Sequence, residues 1–408
     1  MTKIFIKQTV RKMKLLLFTW NGLNDAILKN NLEKLGHTVH HLNRALDDPN
    51  TDFGLAQELM QINSTNSIDG IITFNYIPIV AMTCDIIKKP YYSWVFDSPH
   101  YTLYSQTVNY PTNHIGIFDC ELVDELKKKG VKTVFHLPLS VDSFYFQKTI
   151  RKNGNKKSRV PLKSDVSFVG SLYTDARKVN LYDSFYEDNE IWNNIDSVIN
   201  RQQFNYRENL LSNNSSIDYE YLGQLIRESG QAFGKDYFIT PAEISVSSVL
   251  EKKATINERF CILDAVAAFC NQNAFDFRLY TTSDTSKDPL LQKVNLGPVL
   301  YDAEMPLVFA QSKININVTL RSIHTGIPLR VLDILSCGGF LLTTPTKELL
   351  DAFVDGRDLV IFTSPEECVD KINYYLSHEE AREQIAKNGT ARVRELFRYE
   401  QNLPKLFQ

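Results

Sequence analysis

The sequence predicts an α/β protein with two doubly wound parallel sheets, each in a domain of its own. Three observations lead to this prediction. Short apolar stretches of strand length alternate with stretches of helical pattern along most of the chain, as in βαβ units. The first of these, 14–18, is a continuous apolar strand pattern, typical of a parallel sheet covered on both faces. A chain of 408 residues is also long for one hydrophobic core.

The N-terminal domain is predicted at 1–145. Its strands are expected at 14–18, 38–42, 70–74, 91–96, 115–118 and 133–137. Its helices are expected at 26–35, 54–62, 79–88 and 121–129. Prolines, a glycine and clustered charges then predict an interdomain linker at 146–162.

The C-terminal domain is predicted at 163–390, and a strand at 166–169 opens it. Residues 173–254 lack clean strand patterns and are rich in Asn, Tyr and Glu, so we expect a mostly helical insertion there. The alternation resumes with a helix at 259–270 and a strand at 275–280, and the pattern is helical from 379 to 407.

The composition limits the kind of partner. A hydrophobic content of 43% with 24 Phe and 19 Tyr can build ordinary cores. The net charge of −3 argues against a general nucleic-acid or acidic-membrane binder. Six cysteines are scattered without CxxC spacing, so no metal site is predicted and a reducing compartment is expected. No apolar run approaches bilayer length, so we expect a cytoplasmic protein; peripheral association with membrane-bound machinery stays open.

The most informative stretch is 314–343. Apolar residues at 314, 316 and 318 alternate with two asparagines, a period of two that predicts a short strand. A polar connection follows, and Pro328 suits the first turn of a helix. Gly338 and Gly339 then end that helix before a strand at 340–343. Such a unit directs backbone N–H groups and the positive end of a helix dipole to the carboxyl edge of a sheet, a geometry that binds phosphate or carboxylate.

Charged residues around this helix favour a ligand site over a plain βαβ unit. Arg321 and Arg330 lie on either side of the helix start, and a bidentate cation suits a diphosphate. Asp333 lies about one and a half turns into an otherwise apolar helix. It faces a ligand hydroxyl or a cation, or it pairs with Arg330 three positions earlier.

With its neighbours, the stretch resembles the donor-binding region of GT-B glycosyltransferases of the retaining group-one and group-four type. Upstream, 296–299 and 302–314 follow that family's order, and downstream 356–367 match its strand and closing helix. The phrases LRSIHTGIPLRVLDILSCGGFLLT and WVFDSPHYTLYS are similar to those of CgeB-like spore-maturation glycosyltransferases. The resemblance covers most of the chain and is weakest at 173–254. It implies two Rossmann-like domains facing across a cleft, with a final helix at 391–408 that packs back on the N-terminal domain.

The resemblance implies roles for the donor helix. Asp333 occupies the position of the acid that accepts hydrogen bonds from ribose hydroxyls, a role that suits two carboxylate oxygens. The family's partner acid, eight residues earlier, is replaced by Thr325, so His324 or Thr325 is expected to take over its part. Gly326 and Ile327 belong to the same donor-binding connection.

The diphosphate is expected beside a second loop and the arginine that ends the strand. Gly170 and Ser171 resemble the loop that approaches the phosphates, although the family's arginine is absent from it. Arg177 and Lys178 follow at a distance similar to the family's lysine and serve as further candidates, or as ordinary exposed charges. Arg321 is the preferred diphosphate ligand, because fixed cations can neutralise a leaving diphosphate without a metal.

In the N-terminal domain, Asp97 and His100 follow a predicted strand. An acid and a histidine three residues apart could activate an acceptor hydroxyl by general base catalysis. Alternatively, Asp97 caps the next helix and His100 packs beside neighbouring tyrosines.

Together these features predict a glycosyltransferase of the hexosyltransferase type. The donor is expected to be a nucleotide-diphosphate-sugar, UDP-sugar in particular, and the acceptor a hydroxyl of a glycan or protein. Transfer is expected to be metal-independent, because no Asp-x-Asp motif stands at a strand end, and retention follows from the resemblance alone. A nucleotide-sugar epimerase on the same architecture and an inactive glycan- or nucleotide-binding module are the alternatives.

Overall fold

The computed structural model describes residues 11–20, 22, 24–154, 161–175, 180–230 and 236–408. They form two compact units. Unit 1 takes the described residues of Met1–Ser140, Gly234–Tyr237 and Tyr399–Gln408, and unit 2 takes those of Val141–Phe233 and Phe238–Arg398.

Unit 1 contains a six-stranded parallel sheet of order β2-β1-β3-β4-β5-β6. Its strands are β1 Lys14–Thr19, β2 Thr38–Asn43, β3 Gly70–Phe74, β4 Tyr91–Val95, β5 Asn113–Ile117 and β6 Val134–His136. The helices between them are α1 Asp25–Lys34, α2 Phe53–Asn66, α3 Pro78–Ile87 and α4 Cys120–Lys128. Asp52 and Asp119 begin α2 and α4 by accepting backbone N–H groups of the first turn, as N-cap aspartates do.

Unit 2 contains a five-stranded parallel sheet of order β11-β10-β9-β7-β8. Helix α5 Ser143–Asn153 precedes β7 Val166–Val169. The helices that follow are α6 Leu181–Phe185, α7 Glu190–Gln202, α8 Tyr219–Glu228, α9 Pro241–Ser245 and α10 Lys252–Gln272, with a π-helical turn Val246–Glu251 before α10. The remainder is β8 Phe277–Tyr280, α11 Pro289–Val294, α12 Met305–Gln311, β9 Ile314–Asn317, α13 Leu329–Ser336, β10 Leu341–Thr343, α14 Lys347–Ala352, β11 Val360–Ile361, α15 Pro365–Ser377 and α16 Glu379–Leu396.

The predicted alternation of strands and helices is confirmed, and so is the helical character of the described part of 173–254. Two predicted segments differ. Helix α5 occupies part of the predicted linker 146–162, because Asp142 caps it by accepting the N–H of Tyr145 at 2.9 Å. Helix α10 begins seven residues before the predicted start at 259, continuing directly from the π-helical turn.

Strand β9 has no exposed face, although apolar and polar residues alternate along it. All four of its residues are buried. The Asn315 amide donates to the carbonyls of Phe309 and Phe340 at 3.1 and 3.2 Å and accepts from Ser167 at 2.9 Å. The Asn317 amide donates to the hydroxyls of Thr319 and Thr343. Because these partners satisfy both amides, the asparagines occupy the middle of the sheet at little cost.

The turn after α13 requires its two glycines. Gly338 has a φ of +87°, which L side chains rarely adopt. A Cβ at Gly339 would lie 2.7 Å from both the Asn315 amide and the Phe309 carbonyl. The glycines therefore let α13 end closely against β9, which fixes the position of the loop at its other end.

The C-terminal tail belongs to unit 1. The predicted helix through 407 is interrupted after α16, and the tail continues as α17 Tyr399–Asn402 and a 3₁₀ turn, Leu403–Phe407. The Tyr399 ring lies 5.6 Å from that of Trp94 on β4. The Phe407 ring lies 5.0 Å from His37 and 4.8 Å from Tyr92. The last residues thus complete the apolar core of unit 1. In neither unit do the described residues include a helix both long and apolar enough to cross a bilayer.

Candidate functional site

The carboxyl edge of the unit 2 sheet is where an open α/β sheet places a ligand. Strands β7 and β9 pair directly, so the loops that follow them, 170–175 and 318–328, start side by side. Hydrogen bonds hold the first loop against the end of β8 and the segment after it. The Gly170 N–H donates to the Tyr280 carbonyl at 3.1 Å, and the Leu172 N–H donates to the Ser283 hydroxyl at 2.7 Å. Ser171 bonds to Ser283 at 3.2 Å between hydroxyl oxygens. Gly170 and Ser171 therefore lie on a well-ordered loop beside β9.

Arg177 and Lys178, the other candidates predicted near this loop, lie outside the described residues. Their predicted role stays a prediction.

The start of α13 is the helix terminus at this edge. Pro328 is its N-cap residue, and its side chain forms no cap hydrogen bond with the first turn. Gly326 and Ile327, just before it, are buried. The first amides of a helix have no partner within the helix and carry its positive dipole end; anion binding at this terminus stays a prediction.

Asp333 is covered in this structure. It is 1% exposed, accepts a hydrogen bond from the Tyr301 hydroxyl at 3.2 Å, and lies 4.0 Å from the Arg330 guanidinium. Burial raises the pKa of Asp333 to about 7, against the opposing effects of Arg330 and Tyr301. Its carboxyl is therefore half-ionised near neutral pH, and a ribose could reach it only if the Tyr301 hydroxyl gave way.

Arg330 is only weakly engaged by carboxylates. Its Nη1 lies 2.6 Å from the Met305 sulfur, and its guanidinium stands 5.5 Å over the Phe309 ring. Asp333 is the one acid paired with it in the described part of the chain, at the 4.0 Å limit of an ion pair. Its side chain is 28% exposed, so this cation can contact a ligand.

Arg259 on α10 is the residue that the sequence interpretation missed. One terminal nitrogen donates to the Ser171 carbonyl and the other to the Val318 carbonyl, the latter at 2.6 Å. Arg259 thus joins the loops after β7 and β9. A signal was available in the sequence: Glu258 and Arg259 interrupt a helix whose neighbours Thr255 and Ile262 are buried. A charged pair at buried helix positions needs a reason, whether structural or functional.

Arg321, the predicted diphosphate ligand, is engaged inside unit 2. Its Nε donates to both carboxylate oxygens of Glu258, at 2.8 and 3.0 Å, and Nη2 also donates to Glu258. Nη1 donates to the Asn205 carbonyl at 2.8 Å, and the guanidinium lies 4.2 Å from the Tyr206 ring centre. Most of its five N–H groups are therefore used. These contacts do not favour a ligand role; they connect the helical insertion to the loop after β9.

His324 and Thr325 are also paired within unit 2. The His324 Nε2 lies 2.8 Å from a carboxylate oxygen of Glu251, a buried acid that also accepts the Asn209 amide at 3.1 Å. The Thr325 hydroxyl donates to Glu348 at 2.9 Å. Glu251 therefore connects the loop after β9 to the helical insertion. Glu258, about two helical turns further along the chain, makes a second such connection through Arg321.

Asp97 and His100 follow β4 in unit 1 and bond to other groups rather than to each other. Asp97 is exposed and accepts the Asn75 amide at 2.6 Å. The His100 Nε2 accepts the Tyr76 N–H at 3.0 Å and lies 2.8 Å from the Thr102 hydroxyl. Burial lowers the pKa of His100, although the charge of Asp97 opposes this. His100 thus fixes the loop, while Asp97 remains accessible.

Comparisons with known proteins bear on the fold and on the C-terminal part of the chain. Residues 262–408 match the model of a family described as glycosyl transferase-like. Sucrose-phosphate synthase from Thermosynechococcus elongatus is similar over 97% of this chain and 98% of its own, with TM-score 0.54 and 9% identity. HepE of Anabaena, in complex with UDP, covers 97% and 99% with TM-score 0.53 and 12% identity. A glycosyltransferase from Rickettsia africae covers 97% of each chain with TM-score 0.53 and 11% identity.

No curated protein sequence matches significantly. At these identities the structural matches show the fold, and the fold is GT-B, as predicted. The chain thus has the GT-B fold, and its residues 262–408 match a family described as glycosyl transferase-like.

Proposed function

We propose that this protein transfers a sugar from a UDP-sugar to a hydroxyl group of a glycan or protein acceptor. The observation that carries the proposal is the start of α13 at the carboxyl edge of the unit 2 sheet. An uncapped helix terminus and the weakly paired Arg330 lie there together, in the part of the chain that matches a glycosyl transferase-like family. An anionic nucleotide is the ligand that this combination suits best.

The nucleoside is proposed to bind next to α13. Asp333 would accept the ribose hydroxyls after Tyr301 releases it, since two carboxylate oxygens match two vicinal hydroxyls. Thr325, Gly326 and Ile327 would bring the loop before α13 to the phosphates. Two HepE structures contain UDP and UDP-glucose, which supports uridine as the base.

We propose that the reaction needs no metal, because fixed cations and the helix dipole can neutralise the leaving diphosphate. Retention of anomeric configuration and membership of the CgeB-like subfamily are proposed from the sequence resemblance alone. On unit 1, the exposed Asp97 is the proposed base for the acceptor hydroxyl, and His100 is proposed to hold its loop.

Thermal unfolding with a panel of nucleotides tests the donor. UDP at 100 times its Kd should stabilise the folded state by about 2.7 kcal/mol, and uridine at the same concentration should stabilise it less. If no nucleotide raised the melting temperature, the protein would have no donor site.

Incubation with UDP-sugars, with and without an acceptor and with EDTA, tests the reaction. UDP should be released with EDTA present. A new nucleotide-sugar formed without acceptor would identify an epimerase instead.

A further inference from the structure

Arg259 is a buried cation that forms no ion pair in the described part of the chain. The residue is 8% exposed. It forms no ion pair with any described residue, and its neighbour Glu258 is bound to Arg321 instead. The segments outside the described residues contain no Asp or Glu. A buried charge is costly unless it is paired. The charge of Glu258 acts on Arg259 only from a distance, because the Glu258 carboxylate is bound to Arg321.

The hydrogen bonds of Arg259 are also incomplete. Its two terminal nitrogens reach the carbonyls of Ser171 and Val318, but Nε is buried and has no acceptor among the described residues. A guanidinium has five N–H groups. The rings of Phe168 and Tyr173 lie 5.7 and 5.0 Å from its centre, and the Tyr173 side chain also forms a hydrogen bond with it. Arg259 therefore retains donors for a ligand.

A second cation stands near Arg259. Arg330 is in the first turn of α13, which follows the loop after β9, and Arg259 bonds to that loop through the Val318 carbonyl. Burial lowers the pKa of Arg259 most, Tyr173 opposes this, and the positive charge of Arg330 lowers the pKa further. The half-ionised Asp333 compensates Arg330 only weakly. Two cations at one sheet edge, with so little negative charge between them, form a site that lacks its anion.

We propose that Arg259, together with Arg330, binds the diphosphate of the nucleotide donor, and that the phosphates supply the missing counter-charge. The inference rests on the proposed function and changes its chemistry: the diphosphate ligand comes from α10 rather than from Arg321 in the loop after β9. Because Arg259 already bonds the loops after β7 and β9, bound diphosphate would hold both loops against α13. The same cations would neutralise the charge that develops on the leaving diphosphate when the bond to the sugar breaks.

Calorimetry on the full chain tests this with UDP, uridine and inorganic pyrophosphate. Arg259→Gln should weaken UDP binding by about 10- to 100-fold, the range for one charge-assisted hydrogen bond, and abolish binding of pyrophosphate. Affinity for uridine should stay within about threefold of the wild type. Arg392→Gln is the matched control: this arginine also donates to a backbone carbonyl, that of Ala352, but it has a carboxylate partner in Glu395. It should leave all three affinities unchanged.

Three results separate the possibilities. Wild-type protein that binds UDP, with Arg259→Gln binding it equally well, would overturn the inference and leave the proposed function intact. Wild-type protein that binds no nucleotide would overturn the proposed function itself. If Arg259→Gln does not fold, a crystal structure of the wild type with UDP decides: the inference requires diphosphate oxygens within hydrogen-bond distance of Arg259, and a diphosphate elsewhere refutes it.

Discussion

Replacing Asp333 by Asn should stabilise the unliganded protein at alkaline pH. Each pKa unit corresponds to about 1.4 kcal/mol, and burial raises the pKa of Asp333 from 3.8 to about 7. Ionised Asp333 therefore costs the folded state about 4 kcal/mol. Because the pKa of Asp333 is higher in the folded state than in the unfolded state, its contribution to the free energy of unfolding is most favourable below pH 3.8. This contribution falls as the pH rises to about 7 and is constant above that.

The amide of Asp333→Asn does not ionise, but it buries donors that lack partners, at a cost of about 1–3 kcal/mol. At pH 8.5 the free energy of unfolding of the variant should therefore be about 1–3 kcal/mol higher than that of the wild type. At pH 4 the order should be reversed. Urea denaturation of both proteins at a series of pH values measures the difference in their free energies of unfolding. The contributions of titrating groups that both proteins share cancel in this difference.

Asp358→Asn provides the control. Asp358 is also buried, but the hydrogen bonds from Arg357 and the Val354 N–H overcome the effect of burial and lower its pKa. Its replacement should destabilise the protein at neutral pH, and the loss should disappear as pH falls below the usual range of an aspartate. If the Asp333→Asn difference were constant from pH 4 to 8.5, Asp333 would not be titrating near 7 and the account of its burial would be wrong.

Three further results are expected. Glu258→Gln leaves the buried Arg321 guanidinium without its carboxylate and should lower the free energy of unfolding in urea by about 3–5 kcal/mol; an unchanged value would mean that the pair forms only weakly. Tyr301→Phe removes a hydrogen bond that favours ionised Asp333, so in that background the stabilisation by Asp333→Asn should keep growing to a higher pH before it levels off, and an unchanged levelling pH would show that the hydroxyl does not face the carboxylate. Asp97→Asn should lower kcat for transfer by about 100-fold with UDP affinity unchanged, and wild-type turnover would remove Asp97 from the reaction.

The fold was predictable because its signal is local. Apolar runs such as that of β1 must be covered on both faces, and helical patterns of suitable length lie between them. Helix α5 was not predicted, since the prolines and charges around it are equally typical of a linker. Its start depends on the N-cap residue Asp142, whose carboxylate accepts the Tyr145 N–H, and this hydrogen bond exists only in the folded chain.

The site was less predictable because the direction of a side chain depends on distant residues. Arg321 lies in the loop after β9, where a ligand is expected, but its guanidinium is bound inside unit 2 by Glu258, 63 residues earlier. Arg259 is next to that acid in sequence and reaches the opposite way, to Ser171 and Val318. Asn315 and Asn317 were equally hard to interpret from the sequence. Only their hydrogen-bond partners in the folded chain explain why two amides lie at the centre of the sheet.

The tail that completes unit 1 has a consequence for synthesis. Most of unit 1 leaves the ribosome first, yet its sheet lacks the rings of Tyr399 and Phe407 until about 260 further residues have been translated. During that interval Trp94 and Tyr92 lack the ring contacts with Tyr399 and Phe407, so we expect the nascent chain to bind chaperones that recognise exposed aromatic surface. A truncation before Tyr399 would leave these rings exposed for the life of the protein.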